Sequence, residues 1–323
     1  MINIRPQKLD EFVGQEHARR ILSVLIAAAK RRGEPVPHLL MSGAPGLGKT
    51  SLARIVASEM NGRLVEMVGS AVKTPTDMTH HLLQLKSNDV LFVDEVHAIP
   101  RRIEETLYPA LEDGVITTVE KGFSDLMKQL NIAAGEKSTK IHRLPAFTLI
   151  GATTLMGLVS APLRSRFRQI VELESYSLPD LQRIVGTAAA KLDFQLPNEL
   201  AMEIARRARG TARTAVSYLY WVRDVVHQGD GGNATADLVT LAFAMKGIDE
   251  NGLTKSDREY LRLLIESEEA VGAETLATVL NESVETVQQS IEPFLIRQGF
   301  VTRTSRGRTA TEKARALLEE ATT

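Results

Sequence analysis

The sequence contains no cysteine among its 323 residues. That absence excludes disulfide bonds, thiolate zinc sites and cysteine nucleophiles. The longest apolar runs fall well short of the roughly 18 residues that a membrane span needs, and the first residues lack the apolar core of a signal peptide. The net charge is only −1, so affinity for nucleic acid would have to come from local basic clusters. These features predict a cytoplasmic protein with no membrane association.

Three regions differ in the pattern of their apolar residues. Residues 1–176 alternate short apolar runs with amphipathic helical stretches, which is typical of a parallel sheet covered by helices on both faces. Residues 177–250 show helical spacing throughout, and residues 251–323 combine short helices with a basic, β-prone segment. We therefore expect an α/β domain followed by two smaller domains.

A glycine-rich segment in the first region carries the most specific motif of the chain. Residues 43–50 read Gly-Ala-Pro-Gly-Leu-Gly-Lys-Thr, with an apolar run before them and a helical pattern after them. This is the phosphate-binding loop G-x-x-x-x-G-K-[ST] in its strand–loop–helix context. Backbone N–H groups would bind phosphate oxygens, Lys49 would reach the β- and γ-phosphates, and the Thr50 hydroxyl would ligate Mg²⁺. The alternative, a glycine-rich turn with an incidental lysine, does not account for the flanking strand and helix.

Two further apolar runs end in candidate catalytic groups. The run 90–93 leads into Asp94 and Glu95, and the run 147–150 leads to Thr153 and Thr154. The carboxyl ends of parallel strands build the site in such sheets. Asp94 could therefore hold Mg²⁺, Glu95 could polarise the attacking water and the Thr154 hydroxyl could lie near the γ-phosphate. Each pattern alone also fits a solvated strand end or a turn, but the preceding phosphate loop favours catalysis.

Arginines at two places could also contact nucleotide. Arg164 and Arg166 could form a solvated edge, or they could reach the nucleotide of a neighbouring subunit, where an arginine stabilises transition-state charge. Arg213 opens a helix in the second region, where it could contact phosphate and report nucleotide state through an interdomain angle. A surface ion pair is the simpler interpretation of Arg213.

Together these strings resemble the AAA+ ATPases and, more narrowly, the RuvB family, the hexameric motors of bacterial Holliday-junction branch migration. The resemblance covers nearly the whole chain, including residues 4–15, 43–50, 91–97, 107–113, 147–154 and 160–167. Ala44 departs from it, because a second proline is expected there. The resemblance implies that ATP and Mg²⁺ are the cofactors. It implies a nucleotide-binding set of Ile4, Arg5, Gly43, Gly46, Leu47, Gly48, Lys49, Thr50, Ser51, Glu112, Asp113, Tyr176 and Arg213.

The C-terminal region resembles the DNA-binding part of the same family. Three helical patterns precede the basic segment 300–310, which contains a glycine turn. Three helices followed by a basic β-ribbon form the winged-helix plan, a relative of the helix-turn-helix. Arg303, Arg306 and Arg308 alternate with small or hydroxyl residues, which suits contact with phosphates more than base reading. A solvated strand edge would explain the same arginines, and the resemblance favours DNA.

One segment departs from the family. The resemblance implies a hairpin at about residues 115–144 that docks the partner RuvA, but this chain is longer there by about a dozen residues. Leu126, Met127 and Leu130 fall at helical spacing within the extra residues. They form either a tolerated surface insertion at a hairpin tip or a docking site for a divergent RuvA or another partner.

The resemblance implies a ring-forming ATPase, most simply a hexamer, that pumps duplex DNA. Its parts would be a large ATPase domain (1–176), a helical lid domain (177–250) and a winged-helix domain (251–323). The catalytic set would be Lys49, Asp94, Glu95, Thr154, Arg164 and Arg166. Arg166 would be the arginine finger, the arginine that reaches the nucleotide of the neighbouring subunit, because its Ser-Arg-Phe string resembles that of clamp loaders. Two alternatives stay open. One is a RuvB-like ATP switch of a mobile element or defence system that recruits another partner through residues 115–144. The other is a protein remodeller, for which the basic wing would be unnecessary.

Overall fold

A computed structural model describes residues 3–119, 139–228, 233–267 and 269–320. The chain divides into two compact units, Met1–Ser177 and Leu178–Thr323. Within the described ranges, no helix combines the length and the apolar character that a membrane crossing requires.

The first unit is the predicted α/β domain. Five strands form a sheet in the order β2-β3-β6-β1-β7, and every neighbouring pair is parallel. A separate antiparallel hairpin pairs β4 with β5. The elements are α1 (Glu16–Arg32), β1 (Leu39–Ser42), α2 (Lys49–Glu59), β2 (Leu64–Val68), α3 (Pro75–Leu83), β3 (Val90–Asp94), α4 (Arg101–Glu112), β4 (Val115–Val119), β5 (Thr139–Arg143), β6 (Thr148–Thr153), α5 (Ala161–Arg164) and β7 (Gln169–Glu172).

The three central strands carry the buried part of this sheet. β1, β3 and β6 are almost completely buried along their length, as their continuous apolar runs predict for a parallel sheet. In register, Ser42 of β1 lies opposite Thr153 of β6, and Val93 of β3 lies opposite Gly151 of β6. The segments that follow these strands therefore start from one edge of the sheet.

The second unit contains a helical part and a winged-helix part. Helices α6 to α9 pack on one another, while the remaining elements enclose a separate apolar core centred on Tyr260, Leu261, Leu264 and Phe294. The elements are α6 (Leu178–Lys191), α7 (Asn198–Arg207), α8 (Ala212–Gln228), α9 (Ala236–Met245), α10 (Lys255–Glu266), α11 (Ala273–Val279), α12 (Val284–Thr286), a π-helical segment (Val287–Ile291), α13 (Glu292–Arg297), β8 (Val301–Thr304), β9 (Gly307–Ala310) and α14 (Glu312–Glu320).

Charged side chains join the two parts of this unit. The guanidinium of Arg209, in the loop before α8, donates to the Asp257 carboxylate and, at 3.1 Å, to the Gly252 carbonyl. Asp257 is fully buried, and it also accepts from the Thr254 backbone N–H at 2.6 Å, which closes a capping box on α10. Arg258 pairs with Asp249 at 2.9 Å. The loop before α8 is thus fixed to the first helix of the winged-helix part.

Candidate functional site

The predicted phosphate loop has the backbone of an anion-binding site. Gly43, Gly46 and Gly48 have φ of 145°, 81° and 105°, values that side chains rarely tolerate. Helix α2 begins at Lys49, so its N-terminal N–H groups face the loop. The Lys49 ammonium donates to the carbonyls of Gly43 at 2.6 Å and Ala44 at 3.0 Å. A curled loop, a helix N-terminus and an inward lysine fit the phosphates of a nucleotide.

Two aromatic residues close over the end of this loop. A Cβ at Gly48 would lie 2.7 Å from the Phe12 ring and 3.3 Å from the Tyr176 hydroxyl, so only glycine fits there. The Tyr176 hydroxyl donates to the Leu47 carbonyl at 3.0 Å. Gln15 exchanges two hydrogen bonds with the backbone of Glu174, at 2.6 and 3.1 Å. The N-terminal segment and the chain after β7 therefore meet beside the phosphate loop.

The acidic pair lies at the end of β3. Asp94 is half-buried and accepts the Glu95 backbone N–H at 3.1 Å, whereas the Glu95 side chain is exposed. Glu95 has φ of 49°, a left-handed conformation that costs free energy in a residue with a side chain and is frequent at functional sites. A Cβ at Gly69 would overlap the Glu95 carbonyl oxygen. The absence of a side chain at Gly69 thus makes room for this turn, and no motif in the sequence indicates that role.

The two adjacent threonines at the end of β6 differ in burial. Thr153 is buried, and its hydroxyl lies 2.9 Å from Nδ1 of His97 and accepts the Leu155 backbone N–H at 3.0 Å. Thr154 is exposed, so its hydroxyl remains accessible at the edge where the phosphate loop begins. The contact with His97, three residues after Asp94, joins the acidic turn to β6. No sequence pattern indicated this link.

The arginine pair lies at and beyond the short helix α5. Arg164 donates to the Val159 carbonyl at 3.2 Å. Arg166 is 19% exposed, pairs with Glu112 at 3.0 Å and donates to the Pro162 carbonyl at 2.6 Å. Its guanidinium carbon lies 3.9 Å from the centroid of the Tyr108 ring. Glu112, predicted from the resemblance to bind nucleotide, thus contacts the finger candidate of its own chain.

The other members of the predicted nucleotide set are distributed over both units. Ile4, Thr50 and Ser51 are half-buried, Leu47 is buried, and Arg5 and Asp113 are exposed. Arg213 is exposed at the start of α8, in the second unit. The structure therefore brings the phosphate loop, the acidic pair and Thr154 to one sheet edge of the first unit, and it positions Arg213 on a helix N-terminus.

Of the three wing arginines predicted to contact DNA, two are exposed and one is buried. Arg303 and Arg306 are exposed, as a phosphate contact requires. Arg308 is buried, and its guanidinium binds both oxygens of the Glu292 carboxylate at 2.7 and 3.2 Å. The hydrogen bond to Glu292 raises the pKa of Arg308 further above its ordinary value. The prediction that Arg308 contacts DNA is wrong, because a buried, bidentate ion pair leaves the guanidinium no access to a phosphate.

Two antiparallel strands flank the segment in which the chain departs from the family. β4 and β5 pair in antiparallel register, with Ile116 opposite His142. Residues 120–138, and with them Leu126, Met127 and Leu130, lie outside the described residues.

A parallel sheet with a phosphate loop after β1, an acidic pair after β3 and a polar residue after the strand between them defines a P-loop ATPase of the AAA+ class. In the order β2-β3-β6-β1-β7, β6 lies between β3 and β1. The helical and winged-helix parts that follow the sheet domain restrict the choice to AAA+ ATPases that carry both.

Comparison with known proteins supplies the family. Successive family models match residues 4–173 (Holliday junction DNA helicase RuvB P-loop domain), 176–249 (RuvB AAA lid domain) and 250–319 (RuvB C-terminal winged helix domain). The Holliday junction branch migration complex subunit RuvB of Desulfosudis oleivorans is 42% identical over 317 residues, which are 97% of this chain and 89% of that protein.

Solved structures agree with the sequence relatives. The Thermotoga maritima RuvB Holliday junction branch migration motor superposes with a TM-score of 0.84 at 38% identity, covering 98% of each chain. A mutant of the same protein gives a TM-score of 0.85 at the same identity and coverage. This chain belongs to the RuvB family, and it is a nucleotide-binding ATPase.

Proposed function

We propose that this chain hydrolyses ATP and uses the free energy to move DNA arms through a Holliday junction, the activity in the names of its relatives. The observation that supports this best is the common sheet edge at which the phosphate loop, the acidic pair and Thr154 meet, in a chain that also carries a winged helix. The similarity covers 97% of the chain, so it does not favour the alternative of a re-partnered ATP switch.

The proposed chemistry uses the residues of the first unit. Lys49 and the backbone N–H groups of the loop hold the β- and γ-phosphates, Glu95 polarises the attacking water, and Thr154 contacts the γ-phosphate. The Thr50 hydroxyl and the Asp94 carboxylate supply the oxygen ligands that suit Mg²⁺. Bound there, Mg²⁺ would neutralise phosphate charge. Glu95→Gln should lower kcat by about 10²–10⁴-fold, the range for loss of a general base.

The proposed assembly is a hexameric ring in the cytoplasm. In it, Arg166 reaches the nucleotide of the adjacent subunit, Arg164 assists, and Arg213 couples hydrolysis to movement of the helical domain. The division into domains 1–176, 177–250 and 251–323 is part of this proposal. Arg166→Ala should lower kcat by about 10³-fold or more while leaving nucleotide binding intact, and sedimentation with ATP and DNA measures the size of the ring.

The exposed wing arginines are proposed to grip the DNA backbone. Each phosphate contact contributes about −0.9 to the slope of log K against log salt. The double variant Arg303→Ala/Arg306→Ala should therefore reduce that slope by about 2 per bound wing. Arg206→Ala in α7 removes an exposed arginine away from the wing, and it should leave the slope unchanged. Equal slopes for all three proteins would contradict the proposed contact.

The partner is proposed to be a RuvA-like protein that docks at the hairpin near residues 115–144. The deciding experiment measures ATP hydrolysis and migration of a labelled four-way junction, with and without RuvA, with Glu95→Gln as the inactive control. Junction-dependent stimulation by RuvA that is lost in the control supports the motor. Stimulation by plain duplex with no response to RuvA, and no migration, would favour the switch. Absent DNA binding would favour the protein remodeller.

A further inference from the structure

Helix α4 contains a buried carboxylate that has no part in the site described above. Glu104 is 3% exposed, a position that is costly for a charge without strong hydrogen bonds. In the described part of the chain, its partners are two hydroxyl groups. Its Oε2 atom accepts from the Tyr108 hydroxyl at 3.0 Å and from the Ser160 hydroxyl at 2.6 Å. One carboxylate oxygen therefore ties α4 to the segment that leads into the arginine pair.

The first of these bonds fixes the aromatic ring on which Arg166 lies. Burial is the main cause that raises the pKa of Tyr108 above its ordinary value, so the hydroxyl stays protonated and donates to Glu104. The Arg166 guanidinium carbon is 3.9 Å from the ring centroid, within the range of a cation–π contact. With its tip hydrogen-bonded, the ring offers the guanidinium a fixed face.

The second bond fixes the helix from which Arg166 extends. The Ser160 hydroxyl accepts the Leu163 backbone N–H at 3.2 Å and so caps α5. A helix of four residues cannot hold its own conformation in isolation, and Arg166 lies two residues beyond it. Glu104 therefore anchors both ends of the arrangement, namely the cap of α5 and the ring under the guanidinium.

We propose that Tyr108, anchored by Glu104, is a positioning residue that presents Arg166 to the nucleotide of the adjacent subunit. The inference rests on the proposed function, because it requires Arg166 to act between subunits. The Glu112 carboxylate also holds the guanidinium of Arg166, with 3.0 Å between its Oε1 atom and a guanidinium nitrogen. A guanidinium that is stacked on a ring and bonded through two of its nitrogens leaves the side chain few rotamers, which lowers the entropy that its placement at the γ-phosphate would cost.

The first test separates positioning from folding. Tyr108→Leu removes the ring face, and it should lower kcat for ATP about 10- to 100-fold, the effect of misplacing a catalytic group by about 1 Å. KM for ATP should stay within about twofold, because the nucleotide-binding residues of the same subunit are untouched. Tyr108→Phe keeps the ring but loses the hydrogen bond to Glu104, so its kcat should lie between that of the wild type and that of Tyr108→Leu. Tyr220→Leu removes the ring of another tyrosine–arginine stack, with Arg223 at 5.1 Å, and should change neither constant.

The second test asks in which subunit Tyr108 acts. Subunits with Glu95→Gln cannot hydrolyse ATP but carry an intact Arg166, whereas Tyr108→Leu subunits retain an intact hydrolytic site. In mixed rings at a 1:1 ratio, about one quarter of the interfaces combine both intact parts, since neighbouring contacts in a ring are head-to-tail. The mixture should reach about one quarter of the wild-type rate, well above the mean of the two variants. Glu104→Leu subunits, which lose the hydrogen bonds from both hydroxyls, should have a lowered kcat and should be rescued in the same way.

Three outcomes would overturn the proposal, and they can be distinguished from one another. If the Glu95→Gln and Arg166→Ala mixture is rescued but the Tyr108→Leu mixture is not, Arg166 acts between subunits and Tyr108 does not act through it. If neither mixture is rescued, the assignment of Arg166 to the adjacent site is wrong, and the inference falls with it. A kcat for Tyr108→Leu equal to that of Tyr220→Leu would also overturn it.

Discussion

Replacement of Arg308 by methionine tests whether this arginine stabilises the winged helix rather than binding DNA. The side chains of Arg308 and Glu292 are 8% and 1% exposed. Methionine retains much of the apolar stem of arginine, but it removes the ionic partner of Glu292. The Tyr260 hydroxyl, 3.2 Å from Oε1 of Glu292, remains as a hydrogen-bond donor. A buried charge that loses its ionic partner costs about 3–5 kcal/mol. We expect this loss in the free energy of unfolding at pH 7.

Protonation of the orphaned carboxylate limits that loss and makes it depend on pH. Neutralising a carboxyl group that titrates near 4.3 in solution costs about 3.7 kcal/mol at pH 7 and about 1 kcal/mol at pH 5. In the variant, the folded state gains from this proton while the unfolded chain does not require it, so lower pH favours the folded variant. The deficit relative to wild type should fall from about 4 kcal/mol at pH 7 to about 1 kcal/mol at pH 5.

Urea denaturation followed by circular dichroism measures this deficit at the two pH values. Arg306→Met, which makes the same change on the exposed wing, is the matched control and should stay within about 0.5 kcal/mol of wild type. Salt-dependent DNA binding of refolded Arg308→Met should retain the wild-type slope. Equal stability of the two variants at pH 7, or a deficit that is the same at both pH values, would refute the reasoning.

Two further predictions concern the stability of other parts. Burial lowers the pKa of His38 to about 4, and its Nδ1 accepts the Leu149 N–H at 2.9 Å. Because the pKa of His38 in the folded state lies below its value in solution, its contribution to the free energy of unfolding is fully present above pH 6.5. The free energy of unfolding falls by up to about 3 kcal/mol as the pH is lowered towards 4. His38→Gln should flatten that part of the pH profile of unfolding, and an unchanged slope would argue against this cause. A Cβ at Gly62 would overlap the Asn88 carbonyl oxygen, whereas a Cβ at Gly186 would meet nothing within 4 Å. Denaturation should show that Gly62→Ala loses about 3 kcal/mol and that Gly186→Ala, inside α6, gains about 1 kcal/mol; the reverse order would contradict the packing argument.

The sheet and the phosphate loop could be predicted because their signals are local. The apolar run 90–93 falls within β3, and the glycine pattern 43–50 runs from the end of β1 into the start of α2 as expected. A buried parallel strand needs a continuous apolar run, and a phosphate loop needs glycines at fixed spacing. Each of these patterns is contained in about a dozen consecutive residues, so the strand and the loop can be predicted without knowing which distant residues they contact.

The parts that the sequence could not supply depend on contacts between distant residues. In β9, Arg308 has the alternation of an exposed edge, and its burial follows only from Glu292, 16 residues earlier and on another element. Likewise, Tyr108 and Arg166 are 58 positions apart by their numbers, and nothing in either string indicates that they stack. Thr153, the last residue of β6, is buried, whereas the adjacent Thr154 is exposed, and nothing in the sequence distinguishes the two hydroxyls.

The contact between Arg209 and Asp257 has a consequence for how this chain can be divided. The boundary of homology falls between residues 249 and 250, yet Asp257, which is fully buried, takes its ionic partner from the other side of it. A winged-helix fragment that begins at residue 250 would inherit a buried carboxylate without its guanidinium. The boundary of homology therefore divides an ion pair that the fold keeps together, and a C-terminal fragment that retains this pair has to begin before Arg209.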